Sequence, residues 1–344
     1  MAQTGAGLYA AGGFPAAQAS GIYLREDLID VVMNLDKNKE AAVFMSISKT
    51  TSNGQVHSWE LDTLPATSTG GSLEGEDWAS AALSARVRMN NAVQNFKFNV
   101  GVSLDALEYS LKGQAPGVGN EYQHQINRHL MALEQSVDAR TVALGTSVAS
   151  ASAGASSTTA LMGALRSFQV SATAAAGSAE SAAVTNCCQI NVLGAWSRAR
   201  FLALHEFMFN QGANPDTLVV DPGVKGDITN DILGEAASTA IRQVHFDNSA
   251  SEFTQNIQFL RTDYGRVAVL VDRFVPTAAT ATNSLAGGAY FLFDRAAVRL
   301  AFWRPIRHYP LPPNGDHMRG YVHTGATIEV LSPRALGVGY NVTT

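Results

Sequence analysis

The sequence predicts an α+β fold, and three observations carry that prediction. One uninterrupted segment, GNEYQHQINRHLMALEQSVDARTVALG, places Ile126, Leu130, Leu133, Val137 and Leu144 close to one helical stripe and ends at Gly145, where a C′ glycine belongs. Strand-like runs come in sequence-adjacent pairs, as in NIQFLRTDYGRVAVLVDRF (256–274), a hairpin turning at Asp263-Tyr264-Gly265. Helices and such pairs are mixed without the regular strand–helix–strand alternation of a parallel α/β sheet.

Taken in order, residues 1–20 are Gly/Ala-rich and unpatterned and read as a partner-dependent arm. YLREDLIDVVMN (23–34) reads as a short amphipathic helix with Leu24, Leu28, Val31 and Val32 on one face. ISKTTSNGQVHSWELDTLPATSTGGSLEGED then starts as a strand, turns at Asn53-Gly54 and returns through Val56, Ser58 and Glu60. Asn-Gly is the strongest short hairpin signal, because both central positions of a type I′ turn need positive φ. An excursion of roughly two dozen residues follows, far above the usual loop length. A two-stranded arm with no core of its own is marginal in water, so it needs a partner.

RVRMNNAVQNFKFNVGVS (86–103) alternates in its second half, with Phe96, Phe98 and Val100 on one side of a strand. Ser103 caps a helix LDALEYSLK that stops at Gly113. The long helix follows over 120–144; at ~1.5 Å per residue it spans about 36 Å. Residues 146–186 are Ser/Ala/Thr/Gly-rich, interrupted by LMGALRSF, and read as an exposed loop region. Order resumes with a helix over 195–212, a buried strand TLVVD (217–221), a helix opened by Pro222, and the hairpin above. AYFLFDRAAVRLAFWRPI and ATIEVLSPRALGVGYNV supply the remaining strands.

Composition sets the bounds. The 344 residues suffice for two ordinary domains or one large domain with insertions. Hydrophobic residues reach 46%, enough for a sizeable core, whereas charged residues are only 15%, against about 25% in an average globular chain. A lone soluble protein keeps a well-charged surface; this one expects much of its surface to be covered by other subunits. The net charge of −5 argues against a dedicated nucleic-acid binder. Cys187 and Cys188 are adjacent and have no second pair, which reads as two reduced thiols made in a cytosol. MAQTGAGLYAAGGFPAAQASG has neither a basic nor an apolar targeting region, and the uncharged stretch after Thr141 is too poor in apolar residues to span a membrane. The chain reads as soluble.

Catalytic motifs are missing. There is no Gly-Lys-Ser/Thr phosphate loop, no GxSxG elbow and no GxGxxG after a strand. HEFMF begins like a zinc protease helix, but Phe209 stands where the second imidazole must be. His124 and His129, five apart, fall on different helix faces, and His317 and His323 have no cysteine partner, so ordinary exposed or core histidines are favoured over ligands. Cys187 has no base marked nearby and reads as a structural thiol. Arg295, Arg299, Arg304 and Arg307, interleaved with Phe302 and Trp303, could meet nucleic acid or an acidic neighbour; a strand with one solvated face is the simpler reading. No cofactor or metal is expected.

Five fragments, read in order, resemble one family. WELDTLPA followed by EGED at Glu74-Gly75, RMNNAVQNFKFNVGVS, NQGANPDTLVVDPGVKGDI, RTDYGRVAVLVDRFVP and NGDHMRGYVHTGATIEVLSPRALG are similar to signatures of tailed-bacteriophage major capsid proteins. The likeness is to the SU-ten-like capsid family, with the Johnson (Hong Kong ninety-seven) fold, and it runs from about residue 25 to the C-terminus. Gly325 departs from it, standing where the family often has Glu.

The resemblance implies an N-terminal arm and short helix (1–40), an extended β-hairpin loop (41–85), a peripheral domain with the spine helix (86–190), an axial domain (191–310), and C-terminal strands returning to the peripheral domain (311–344). It implies a non-enzymatic shell protein that self-assembles into hexamers and pentamers around double-stranded DNA. A portal protein would sit at one vertex, with a scaffolding or cementing protein as a further partner and no membrane involved. The product would be a virion capsid assembled in the host cytoplasm. The extended loop would lie across a neighbouring subunit, making Asn53, Gly54, Val56, Trp59, Glu60, Asp62 and Glu74 candidate inter-subunit contacts, with Trp59 as anchor. Leu130, Leu133 and Val137 would be the core face of the spine helix, and Arg128 would face the interior and its DNA. The runner-up is an encapsulin-type compartment shell of the same fold. An enzyme lacks any supporting constellation, and a tail-tube or fibre protein would need longer β repeats.

Overall fold

The computed structural model describes residues 40–62, 74–75, 86–105, 107, 121–143, 160–169, 188–234, 257–277, 288–313 and 315–342. The expected arm over 1–20, the helix over 23–34 and most of LDALEYSLK lie outside them. Helix α1 (Ala42–Ser46) leads into strand β1 (Ser48–Thr51), followed by β2 (Val56–Leu61), β3 (Val87–Ala92) and β4 (Gln94–Ser103). Helix α2 (Glu121–Thr141) is the long helix, and a 3-10 turn (Leu165–Gln169) precedes β5 (Gln189–Gly194). Then come α3 (Arg198–Asn210), β6 (Thr217–Val220), α4 (Pro222–Gly234), β7 (Phe259–Thr262), β8 (Gly265–Val271) and β9 (Gly288–Phe293). Two long strands, β10 (Val298–Leu311) and β11 (His317–Val330), precede β12 (Leu336–Val342).

These strands form a four-stranded sheet β1-β10-β11-β4, a six-stranded sheet β5-β12-β9-β6-β8-β7 and a two-stranded ribbon β2-β3. Period-two patterning places β4: Phe96, Val100 and Val102 are buried while Asn95, Lys97, Asn99 and Gly101 are exposed. Helix α2 packs on this sheet through Ile126, Leu133 and Val137, with Leu130 half-buried beside them. Leu133 is fully buried, so Leu133→Ala is expected to cost ~2–4 kcal/mol. A denaturation midpoint that does not move would show that this face is not the packed one.

The six-stranded sheet is covered on both faces, and its central strand β9 is buried along its entire length. Val219, Phe291 and Phe293 join the core shared with α1, α2 and the four-stranded sheet, whereas Leu218, Val220, Tyr290 and Leu292 face Phe201, Leu204 and Met208 of α3 and Val224 and Ile228 of α4. Continuous apolar runs such as TLVV are what a strand buried on both faces requires.

Three expectations are corrected. The Asn53-Gly54 hairpin does not form. Strand β1 runs parallel to the first residues of β10, from Ser48↔Arg299 to Thr51↔Phe302, while β2 pairs antiparallel with β3, from Val56↔Ala92 to Leu61↔Val87. Between them the chain only bends: the Ser52 amide donates to the Phe302 carbonyl at 2.9 Å and the Ser52 hydroxyl to the Gly54 carbonyl at 3.0 Å. Gly54 is not among the positive-φ glycines, so the geometry that an Asn-Gly turn favours is unused. The edge of the long β10 offers β1 a better partner than a local return. The excursion therefore lies between the two ribbon strands, where residues 56–61 pair with 87–92.

Second, LMGALRSF is not an exposed loop. Met162, Ala164 and Leu165 are fully buried, and Phe168 is 8% exposed. Third, of the C-terminal strands only β11 joins the four-stranded sheet; β12 inserts between β5 and β9 of the other. Its alternate glycines, Gly337 and Gly339, leave room there for Met208 and Tyr290.

Candidate assembly surface

The ribbon has two unlike faces. On one, His57, Trp59 and Leu61 turn inward; on the other, Val56 and Glu60 are exposed. The inward face is fastened to the chain's own core. The Trp59 indole N–H donates to the Val330 carbonyl at 2.9 Å, and its ring lies 6.0 Å from that of Phe168. His57 Nε2 sits 3.2 Å from Glu329 Oε2. Asn91, only 1% exposed, donates to the Ile328 carbonyl at 2.8 Å and accepts from the Gly163 amide at 2.8 Å. The buried 160–169 segment is thus the floor on which the ribbon stands.

Trp59 is consequently not available as an anchor on a neighbour. It is 8% exposed within one subunit, so almost no ring surface is left to offer. The other ribbon candidates do face outward: Asn53, Glu60, Asp62 and Glu74 are exposed, Val56 is 45% exposed, and Gly54 is half-buried. Arg86 approaches Glu60 at 3.5 Å and Asp62 at 3.6 Å, and Arg88 donates to the Ser58 hydroxyl at 2.9 Å. Such exposed ion pairs contribute ~0–1 kcal/mol each; the ribbon is held by its buried root. Arg128 is exposed on α2, away from the Leu133 stripe.

Further apolar surface stands open. At the tip of the β10–β11 hairpin Tyr309, Leu311 and Met318 are exposed, with Tyr309 stacked on Tyr321 at 5.2 Å between ring centres. Near α3, Phe209 is 51% exposed and Phe259 48%. A groove of about 640 Å³ runs between α1, α2 and β8, lined by Met45, Met131, Glu134, Gln135 and Val271 among others. Sequence reasoning missed the hairpin tip, although its signal is present in the alternation continuing through RPIRHYPL. Arg304 and Arg307 on that strand are exposed, and Arg304 lies over the Trp303 ring at 4.5 Å. Pro305 and Pro310 lie in β10 beyond its pairing with β1, and neither has a backbone N–H to donate.

The titratable groups read as structural. His205 is fully buried, shares a hydrogen bond with the Thr262 hydroxyl at 3.1 Å, and burial holds it below its ordinary value. Burial, then Arg304 and Lys97, lower His323 likewise. Cys188 is buried, its Sγ 3.6 Å from the Arg334 carbonyl; Cys187 lies outside the described residues. Among the described residues no three His, Cys, Asp or Glu side chains are grouped to hold a metal, and no helix is long and apolar enough to cross a membrane.

Comparison with known proteins supplies the context for this surface. Among solved structures, the chain is similar to the capsid of the native GTA particle, with 12% identity, TM-score 0.61 and coverage of 97% of this chain and 100% of the other. It is similar to the capsid of cyanophage A-1(L), with 12% identity, TM-score 0.61 and coverage of 93% and 98%. It is similar too to the SrpI encapsulin of Synechococcus elongatus PCC 7942, with 9% identity, TM-score 0.56 and 96% of each chain covered. At these identities the likeness is one of fold. Comparison with curated proteins finds no match. The family described as SU10 major capsid protein matches residues 10–343. That match spans nearly the entire chain, and the fold is shared along the same length by phage capsid subunits; the chain belongs to the SU10 major capsid protein family of tailed bacteriophages.

Proposed function

We propose that this major capsid protein assembles into hexamers and pentamers that close an icosahedral shell around double-stranded DNA. The observation that carries the reading is the ribbon: one face is buried against the chain's own core, while Val56 and Glu60 on the other face, and Asp62 just beyond its end, are exposed. Asn53, Gly54, Val56, Glu60, Asp62 and Glu74 are the contacts offered to a neighbouring subunit. Exposed Met45, Phe209 and Leu311 add apolar area elsewhere, stabilising association at roughly 25 cal/mol per Å² buried. Closed symmetry makes many such weak contacts cooperative.

In this reading α2 is the spine helix, the four-stranded sheet belongs to the peripheral domain and the six-stranded sheet to the axial domain. Arg128 faces the interior, where its contact with packaged DNA is screened by salt. A portal at one vertex, a scaffolding or cementing partner, and assembly in the host cytoplasm complete it. The encapsulin likeness supports a second reading, a compartment that encloses protein cargo; the family match favours the first. Purified chain under assembly conditions is expected to give closed shells in negative-stain micrographs and a fast sedimenting boundary. A stable monomer as the sole species overturns shell assembly. Shells that carry protein cargo and no DNA in the native host would favour the compartment.

A further inference from the structure

Where the two sheets meet, α2 and the end of β8 bring two carboxyl groups together out of reach of water. Asp138 is 0% exposed and Asp272 is 1% exposed. Each has one oxygen tied to the backbone: Asp138 Oδ1 accepts from the Phe44 amide of α1 at 2.7 Å, and Asp272 Oδ1 from the Phe274 amide at 2.9 Å. The amides of Ala42 and Val43, also in α1, point at Asp138 and Asp272 respectively. Asp272 is anchored in the six-stranded sheet by its own amide, which donates to the Val220 carbonyl at 3.0 Å. The remaining oxygens, Asp138 Oδ2 and Asp272 Oδ2, are both buried and have no donor among the described residues. The two side chains are within hydrogen-bonding reach of each other.

Two buried carboxylates in contact repel strongly, and each would keep an unsatisfied oxygen. One proton removes both problems: it halves the charge and gives one Oδ2 a donor to the other. We propose that Asp138 and Asp272 share a single proton and form a latch that fastens α1 and α2 to the six-stranded sheet, released when that proton is lost to solvent.

Among the described residues no cation competes for the pair. On α2, Arg140 donates to the Met162 carbonyl and Glu134 lines the outer groove. Around α1, Glu40 is exposed and Lys49 lies over the Phe44 ring at 4.3 Å. Beside Asp272, Arg273 is exposed, and Asp221 after β6 accepts from the Gly223 amide. The influences acting on the pair are burial, the other carboxyl group and the backbone amides. Burial first, and then Asp272, push Asp138 from 3.8 up to about 8; burial raises Asp272 too.

The sign follows. The folded chain keeps a proton that unfolded aspartates release near pH 3.8. The latch's contribution is therefore complete below that pH and declines as pH rises towards about 8. Over that window linkage allows up to about a tenfold fall in the folding equilibrium constant per pH unit. Denaturant unfolding of the full-length chain, read from pH 5 to pH 9, tests it against the double substitution Asp138→Asn with Asp272→Asn. Asparagine at both positions cannot titrate and keeps the Oδ1 bonds to the Phe44 and Phe274 amides, but it sets two Nδ2 donors against each other in place of the shared proton. The expected result is a wild-type stability that falls relative to that of the double variant as pH rises; the histidines held low by burial are common to both chains and cancel in the difference. A difference that does not change with pH overturns the proposal. Should the double variant not fold, infrared difference spectra of the wild type decide: a protonated-carboxyl C=O band persisting at pH 7 and absent above pH 9 supports the latch, and no such band at pH 7 refutes it.

Discussion

Trp59→Ala will destabilise the unassembled chain by ~3–5 kcal/mol, the range for deleting a buried aromatic side chain. Its indole is nearly all buried, fills the space between β2 and Phe168, and donates to the Val330 carbonyl of β11. Removing it opens a cavity beneath the ribbon and loses the hydrogen bond that ties β2 to the four-stranded sheet. Trp59→Phe keeps most of the apolar contact and gives up the hydrogen bond, so it should cost less, with roughly 1 kcal/mol of the loss from that bond. Denaturant unfolding under non-assembling conditions measures both. An alternative outcome is equally clear: a chain of unchanged stability that no longer assembles would return Trp59 to a neighbouring subunit. Any assembly defect expected here follows from a loosened ribbon.

That reversal shows what the sequence could and could not convey. Periodicity placed the elements whose burial is decided locally. Alternation in QNFKFNVGVS became β4, the Ile126–Leu133–Val137 stripe became the packed face of α2, and TLVVD with Pro222 became β6 and α4. Asp263-Tyr264 became the turn between β7 and β8. Pairing between residues far apart was not legible. Asn53-Gly54 marks a local reversal, yet β1 found its partner some 250 positions later in β10, where Ser48 meets Arg299. Nothing in a short strand such as SKTT announces such a partner. LMGALRSF was hidden for a related reason: its neighbours in sequence are small and polar, whereas its neighbours in space are Asn91 and Gln94. Asn53, Val56, Glu60 and Asp62 stood out because their segment leads into an excursion too long for an ordinary loop, and all four are exposed. Trp59 sat among them, and period two alone could not tell which of the ribbon's faces was covered by the chain itself. The resemblance supplied the family, and it did so from fragments spread over both sheets.

Gly339→Ala should be comparably damaging, although it adds one methyl group. Gly339 of β12 stands directly opposite Tyr290 of β9. A Cβ at that position would lie 2.1 Å from Tyr290 Cζ and 2.2 Å from Cε1. The phenol ring crosses over the glycine and has nowhere to retreat: Tyr290 is 1% exposed, and its ring meets Trp196 edge-on at 5.1 Å. Two responses are open. The strand pair can part, which breaks the centre of the six-stranded sheet, or the ring can leave its pocket, which forfeits the packing of a buried aromatic. Overpacking a tight core costs ~1–3 kcal/mol and sometimes more; displacing an aromatic ring brings the loss closer to the ~3–5 kcal/mol of its deletion. A double-mutant cycle separates these from a simple loss of backbone freedom. Tyr290→Leu alone leaves a cavity, but in the presence of Gly339→Ala it removes the clash, so the pair should cost less than the sum of the two single changes. Residues in direct contact commonly show such coupling at 0.5–3 kcal/mol. Strict additivity, or a Gly339→Ala chain within about 0.5 kcal/mol of the wild type, the scatter of an unstrained surface change, would mean that Tyr290 does not lie across Gly339.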